Sequence, residues 1–364
     1  MEKGEALKDK LNHESLSEFA LAIKSIYEPF KVDEFLKSTM DEAWEGLELK
    51  ARGRQITLNL GKFLPKDYAE AIGILDKVLP IYKGWGLFSF PDFVEVFGQD
   101  EENWEVSINA LGRFTSYASA EWAVRPFIIK NQERMMAQMY EWSKSENEHL
   151  RRLSSEGCRP LLPWTIVLEK FKADPTPILP ILEQLKADPS AYVRKSVANN
   201  LNDISKNHPD LVIKIAKEWL GKNEYTDWII KHACRTLLKK GNRDTLALFG
   251  YDDEISIDVT NFALEAKSIS IGDNIAFSFT IAAKQETKVR LEYGIDYVKS
   301  NGKRNRKIFQ ISEILLKENE KKNYIRKHSF ADVSTRKHYP GTHSVTLIVN
   351  GTERGALDFE LKVV

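Results

Sequence analysis

The order of apolar and polar positions divides the chain into two parts. Up to about residue 250, apolar residues recur three and four apart, as in FALAIKSIYEPF (19–30) and YAEAIGILDKVLPIY (68–82), which predicts amphipathic helices. Between these two lies a basic amphipathic segment, LELKARGRQITLNLGKFLP (47–65). GWGLFSFPDFVEVFG (84–98), with its Gly, Pro and aromatic residues, reads as a loop entering a packed helix. After YDDE (251–254) the period falls to two. ISIDVTNF, SISIGDNIAFSFTIAA, KVRLEYGIDYV, HSVTLIVNG and ALDFELKVV alternate as half-buried strands do. Asn350-Gly351 between two such runs predicts a hairpin.

Within the helical part, one helix opening is repeated as SENEHLRRLSSEG, PSAYVRKSVANNL and YTDWIIKHACRTL. In each copy a capping-type residue (Asn147, Ser190, Asp227) stands four places before a cation (Arg151, Arg194, Lys231), and a second cation-capable residue follows (Arg152, Lys195, His232). The copies lie 43 and 37 residues apart, the period of paired-helix HEAT repeats. SAEWAVR (119–125) is a degenerate further copy, with Glu121 four places before Arg125. The predicted fold is therefore mainly α: a HEAT-like repeat α-solenoid over residues 1–250, then an immunoglobulin-like β-sandwich over 255–364. The Cys–Trp–Cys signature of true immunoglobulin domains is missing, so the sandwich rests on strand number and spacing.

Composition narrows the function. No apolar run reaches the roughly 20 residues of a membrane span, and the polar N-terminus lacks the apolar core of a signal peptide, so a cytoplasmic protein is expected. Two cysteines, no CxxC and no clustered histidines leave no zinc spacing, and no cofactor is expected. Net charge is zero, which argues against a general polyanion binder. The charge is unevenly spread, however: residues 1–120 carry 14 Lys/Arg against 21 Asp/Glu, whereas 299–337 carry 12 against 4. KSNGKRNRK (299–307) reads as an exposed basic loop offering Lys303, Arg304, Arg306 and Lys307.

Arg152, Glu156 and Arg159 are four and three apart and share a helix face, as do Lys195, Asn199 and Asp203. Stacked in register, Lys195 falls beside Arg152 and Asn199 beside Glu156; the third copy adds His232. Such a row is either a solvated face laced with i,i+4 ion pairs or a binding surface with carboxylates set among its cations. Trp164, in RPLLPWTIV just past two prolines, is either a packing anchor or an aromatic wall at a groove.

Four stretches resemble the AlkC/AlkD family of HEAT-like DNA glycosylases, and its AlkC branch most closely: RQITLNLGKFLP, SAEWAVRPFI, SENEHLRRLSSEGCRPLLPW and VRKSVANNLNDISKNHPD. The resemblance covers roughly residues 10–250, and some AlkC-type proteins also carry a C-terminal immunoglobulin-like domain. It implies a base-excision enzyme that hydrolyses the N-glycosidic bond of cationic alkylated bases such as 3-methyladenine and 3-methylcytosine in double-stranded DNA, without extruding the base. It assigns Glu121, Glu156, Asp203 and Trp164 to a lesion-facing groove. The AlkD branch's Trp followed four places later by Asp does not recur, since that position is Leu168. The implied chemistry suits these residues: carboxylates favour the oxocarbenium-like sugar and orient water, and an aromatic face favours the same positive charge. Arg152, Arg159, Arg194, Lys195, Asn199, Lys231 and His232 would hold the DNA, with the basic loop closing from the β-domain and a monomer sufficing. The rival is a HEAT scaffold without activity that holds DNA or an acidic protein.

Overall fold

The computed structural model describes residues 6–251, 257–333 and 336–363. Among them, sixteen α-helices precede eight strands. The residues fall into two compact units, Met1–His208 with Trp219–Ala233, and Pro209–Glu218 with Cys234–Val364.

The first unit is helical throughout. Its opening helix, His13–Ile26, starts where sequence chemistry allows. The Asn12 side chain accepts the Ser15 N–H, and Ser15 Oγ accepts the Asn12 N–H in return. That helix buries Leu16, Phe19, Ala20 and Ile23, four positions of one face. Phe19 meets Phe35, Tyr82 and Phe90 at ring separations of 5.3–6.4 Å, so the core here is largely aromatic. The GWGLFSFP stretch forms a 3-10 turn, Trp85–Phe88, running into the helix Ser89–Phe97.

The repeat helices are Glu148–Gly157, Ala191–Ile204 and Glu224–Ala233, and the middle one packs against both others. Ser155 and Ser196 share a hydrogen bond of 2.7 Å, and Asn200 Nδ2 donates to the Ser155 carbonyl at 2.8 Å. These small polar contacts let successive helices approach closely. The openings are not equivalent. Asn147 caps its helix by accepting the His149 N–H. Ser190 is an N-cap whose hydroxyl donates instead to Glu148. Asp227 lies inside the third helix, which starts three residues earlier, and its carboxylate accepts the Gly221 N–H.

In the second unit, β1 (Ile257–Leu264), β3 (Asn274–Ala283) and β6 (Lys321–Ser329) form one sheet. The other has the order β2 (Ser268–Ser270), β8 (Thr352–Lys362), β7 (Gly341–Val349), β4 (Thr287–Val298) and β5 (Arg304–Leu316). All pairs are antiparallel except β2 with β8. Alternate residues supply the core: Ile275, Phe277, Phe279 and Ile281 from β3 face Val289, Leu291, Tyr293 and Ile295 from β4 and Val345, Leu347 and Val349 from β7. Asn350 and Gly351 both take positive φ, 46° and 75°, as a two-residue hairpin between β7 and β8 requires. A Cβ on Gly351 would also stand 2.9 Å from Gly241 Cα, so the turn needs glycine twice over. The helices Arg235–Lys239 and Arg243–Leu248 group with these strands, although their period reads with the helical part.

The expected basic loop is mostly strand. Only Lys299–Lys303 is a turn, closed by Lys299 N–H to the Lys303 carbonyl at 2.8 Å; Arg304–Lys307 pair with β4. Neither β5 nor β6 stood out in the sequence, because neither buries a complete face and their alternation is diluted by charge. Asp252–Ser256 and Val364, which close the helical run and bound the first and last expected strands, lie outside the described residues.

Candidate active site

Three segments of the helical unit meet around one alternating chain of charge. The Glu121 carboxylate, just ahead of the helix Val124–Lys130, pairs with Arg152 and accepts a 2.8 Å hydrogen bond from Ser119 Oγ. Arg152 also donates to Ser119 Oγ at 2.6 Å and lies 3.6 Å from Glu156 Oε1. Arg159 donates to the same Glu156 oxygen at 2.6 Å and, through Nε, to Asp203 Oδ2 at 2.9 Å. Lys206 closes the chain on Asp203 Oδ1 at 2.8 Å. Three carboxylates thus alternate with three cations, and each charge has an opposite neighbour. Burial deepens along the series: the Glu121 side chain is 18% exposed, Glu156 7% and Asp203 2%. Such sites hold ionised carboxylates in a partly dry setting because their partners are fixed.

Trp164 resolves one alternative left by the sequence. It is 72% exposed, so it is no packing anchor. Its φ of 63° places a bulky residue in the left-handed region, a conformation that persists only where the surroundings hold it. Lys50 Nζ donates to its carbonyl at 2.7 Å and lies 4.3 Å from the centre of the Trp122 ring. The Trp122 and Trp164 rings are 6.5 Å apart at 51°. Phe88 meets the other side of Trp122 edge-on at 5.6 Å. Phe88 and Trp122, but not Trp164, line an open cleft of about 620 Å³ whose walls also include Trp85, Tyr117, Ser119 and Glu121. Glu121 is the one carboxylate of the three that lines it.

Several candidate DNA contacts are placed differently from the sequence reading. Arg159 is buried and engaged by two carboxylates, so its guanidinium is not free to meet a phosphate. Arg194 donates to the carbonyls of Asp188 and Pro189 and stacks 4.2 Å from the Tyr225 ring. Arg151 does the same at the equivalent place, holding the carbonyls of Ser145 and Glu146 and pairing with Asp188 at 2.7 Å. The first cation of each of these copies is therefore a clamp on the preceding loop; of the second cations, Lys195 faces outward, while Arg152 is mostly covered and held by Glu121 and Glu156 rather than offered to a phosphate. Arg152 stacks 5.0 Å from Tyr192. Lys195 is exposed, Asn199 half-buried, Lys231 exposed, and His232 stacks on the exposed Trp228 ring at 5.2 Å and 6°. In the sandwich, Arg306 is held by Asp296 at 2.8 Å and by Glu353, and Arg304 donates to Ser344 Oγ at 2.8 Å; Lys303 and Lys307 are exposed. Asp203 also departs from the reading as a group facing a lesion, since both its oxygens are taken by cations.

Lys50, Trp122 and Arg125 were not singled out as site residues. Arg125 carried one signal, its four-residue spacing from Glu121. Lys50, over seventy positions from Trp122, carried none. Among the described residues, no cluster of three or more metal-ligating side chains occurs, and no helix is long and apolar enough to cross a membrane.

Residues 97–237 match the family described as DNA alkylation repair enzyme, and 258–363 match the C-terminal Ig-like domain of the uncharacterised protein YhaZ. Helical repeats carrying a carboxylate–arginine chain beside exposed tryptophans, joined to an immunoglobulin-like sandwich, thus fall in the class of DNA alkylation repair proteins. The uncharacterised protein YhaZ of Bacillus subtilis (strain 168) is 49% identical over 98% of this chain and 99% of its own. The structure of Pseudomonas fluorescens alkylpurine DNA glycosylase AlkC, bound to DNA containing an abasic site analogue, is similar with a TM-score of 0.94 and 36% identity, covering 98% of this chain and 100% of that one. The chain belongs to the AlkC family.

Proposed function

We propose that the protein is a DNA glycosylase that hydrolyses the N-glycosidic bond of cationic alkylated bases, 3-methyladenine and 3-methylcytosine, in duplex DNA and leaves the strand intact. The observation that carries this reading is the placement of Glu121. Its carboxylate lines an aromatic cleft and is the outermost member of a chain of ionised groups. In the reaction, the bond between C1′ and the base nitrogen breaks and its electron pair neutralises the cationic base. The sugar left behind is oxocarbenium-like. Fixed negative charge at that point lowers the barrier because it needs no reorganisation. Water then adds to C1′ and gives up a proton.

Glu121, the least buried carboxylate, is the group we assign to that water. Glu156 supplies a second negative charge behind it. Asp203, with both oxygens engaged, holds Arg159 in place rather than facing the sugar. Trp164 and Trp122 offer ring faces to the sugar or the base. Lys195, Asn199, Lys231 and His232 form the outward row suited to phosphates, Arg152 instead holds Glu121 and Glu156, and one chain suffices. The test is single-turnover release of 3-methyladenine by Glu121→Gln and Glu156→Gln. Both should fold as the parent does, and Glu121→Gln should lose about 10²–10³ in rate, as when one preorganised electrostatic group is removed. Wild-type rates in both variants would exclude the assignment.

A further inference from the structure

The turn that presents Trp164 is pinned from beneath by one side chain. Arg125, on the helix Val124–Lys130, is fully buried, yet its guanidinium bonds to no carboxylate. It spends its donors on backbone carbonyls: Nη1 on Gly157 at 2.9 Å and Arg159 at 2.8 Å, and Nε and Nη2 on Ile166 at 2.9 and 2.6 Å. Gly157 and Arg159 stand where the chain leaves the repeat helix, and Ile166 stands two residues beyond Trp164. The two ends of the turn are further joined by Leu168 N–H to the Pro160 carbonyl at 3.2 Å. A planar fork with donors on three nitrogens can hold three carbonyls at once, which an ammonium group cannot do in the same geometry.

We propose that Arg125 is a positioning residue: through the carbonyls at both ends of the turn, it holds Arg159 against Glu156 and Asp203 and keeps Trp164 in its left-handed conformation beside Trp122. This rests on the reading of Trp164 and the carboxylate chain as the site of excision. It also explains why SAEWAVR departs from the other repeats. The segment places Glu121 on Arg152, Trp122 beside Trp164 and Arg125 under the turn, three tasks within five residues. Burial pulls the Arg125 guanidinium down to about 10, which leaves it charged at neutral pH. The carbonyls it gathers satisfy its donors within the core.

The test is a double-mutant cycle on the full chain, joining Arg125→Lys with Trp164→Ala. Arg125→Lys alone should lower single-turnover excision by about ten- to a hundredfold, the scale on which misplacement of a site group is felt. In the Trp164→Ala background the same change should cost several-fold less than it does alone, what remains being the part that acts through Arg159. Wild-type excision by Arg125→Lys, or losses that multiply, would overturn the proposal. If Arg125→Lys does not fold, hydrogen exchange on the wild-type chain decides. The amides of Arg159 and Leu168, which donate to the Glu156 and Pro160 carbonyls at the two clamped ends, should be protected, and exchange of both at the rate of an exposed loop would overturn the clamp. If the wild-type chain releases no base, the glycosylase reading fails separately. The clamp is then judged by hydrogen exchange at the Arg159 and Leu168 amides, which should rise in Arg125→Lys and must not stay unchanged.

Discussion

Replacing Asp203 by Asn separates structural from chemical roles within the charge chain. The Asp203 side chain is 2% exposed and that of Arg159 is 9% exposed, with 2.9 Å between them. The substitution keeps the shape and one acceptor but removes the charge. Arg159 then keeps only Glu156, and Lys206 loses its partner. Breaking a buried pair on one side costs about 3–5 kcal/mol. Asn still accepts one hydrogen bond and Arg159 retains one carboxylate, so about 2–3 kcal/mol is the expected loss. For a helical unit of this size, each kcal/mol lowers Tm by roughly 2–4 °C, so a fall of about 4–12 °C should appear in thermal unfolding of the full chain. Arg159→Met with Asp203→Leu removes both charges and should recover most of that loss, while excision stays low because Glu156 is no longer oriented. Wild-type stability in Asp203→Asn would refute the claim that this carboxylate serves as an anchor. So would a double variant less stable than the single.

Three further outcomes follow from the same geometry. Trp164→Ala should leave Tm within about 2 °C, because the ring is exposed and surface changes stay within about 0.5 kcal/mol, while single-turnover excision falls; equal rates would remove Trp164 from the site. In the sandwich, His328 is enclosed by the Tyr293 and Tyr297 hydroxyls at 2.9 and 2.5 Å, and burial pulls it down to about 4. Its pKa is depressed on folding, so the stability tied to neutral His328 is complete above the unfolded value of about 6.5 and is lost as pH falls towards 4. Chemical denaturation should show a loss of about 2 kcal/mol from pH 7 to pH 5, and this loss should shrink in His328→Gln; the same loss in His328→Gln would contradict the assignment. Lys303→Ala with Lys307→Ala should flatten the salt dependence of DNA binding by up to about 2 in slope. Arg306→Ala, which loses Asp296 and Glu353, should affect sandwich stability more than that slope. An unchanged slope in the lysine variant would take the turn out of the DNA interface.

The helical repeats and the sandwich were legible because burial repeats: one apolar stripe every turn in the helices, every second residue in β3, β4 and β7. Glu156 was legible as a neighbour of Arg152 for the same reason, since a four-residue spacing fixes a helix face; the Arg159–Asp203 pair was not, because Arg159 lies beyond the helix end at Gly157. Spacing could not distinguish a cation facing water from one folded back on a loop. Arg151 and Arg152 are adjacent in sequence, yet one clamps two carbonyls and the other joins Glu121. Arg194 clamps as Arg151 does, since both stand four places after the N-cap residue of the helix. Likewise Lys50 reaches Trp164 across 114 positions, a contact set by packing of helices that no local pattern records. The β5 strand escaped notice because its charged residues pair sideways with β4 and β8 rather than alternating between core and solvent.

In the proposed reaction the helical unit breaks a glycosidic bond with Glu121 at the reaction centre. The most direct measurement counts the products from a duplex carrying 3-methyladenine, with wild-type protein in excess. The expected result is one free methylated base for each abasic site formed, no strand cleavage, and a rate lowered by about 10²–10³ in Glu121→Gln at unchanged DNA affinity. A duplex that is bound tightly but returned unaltered, or strand cleavage without free base, would contradict it.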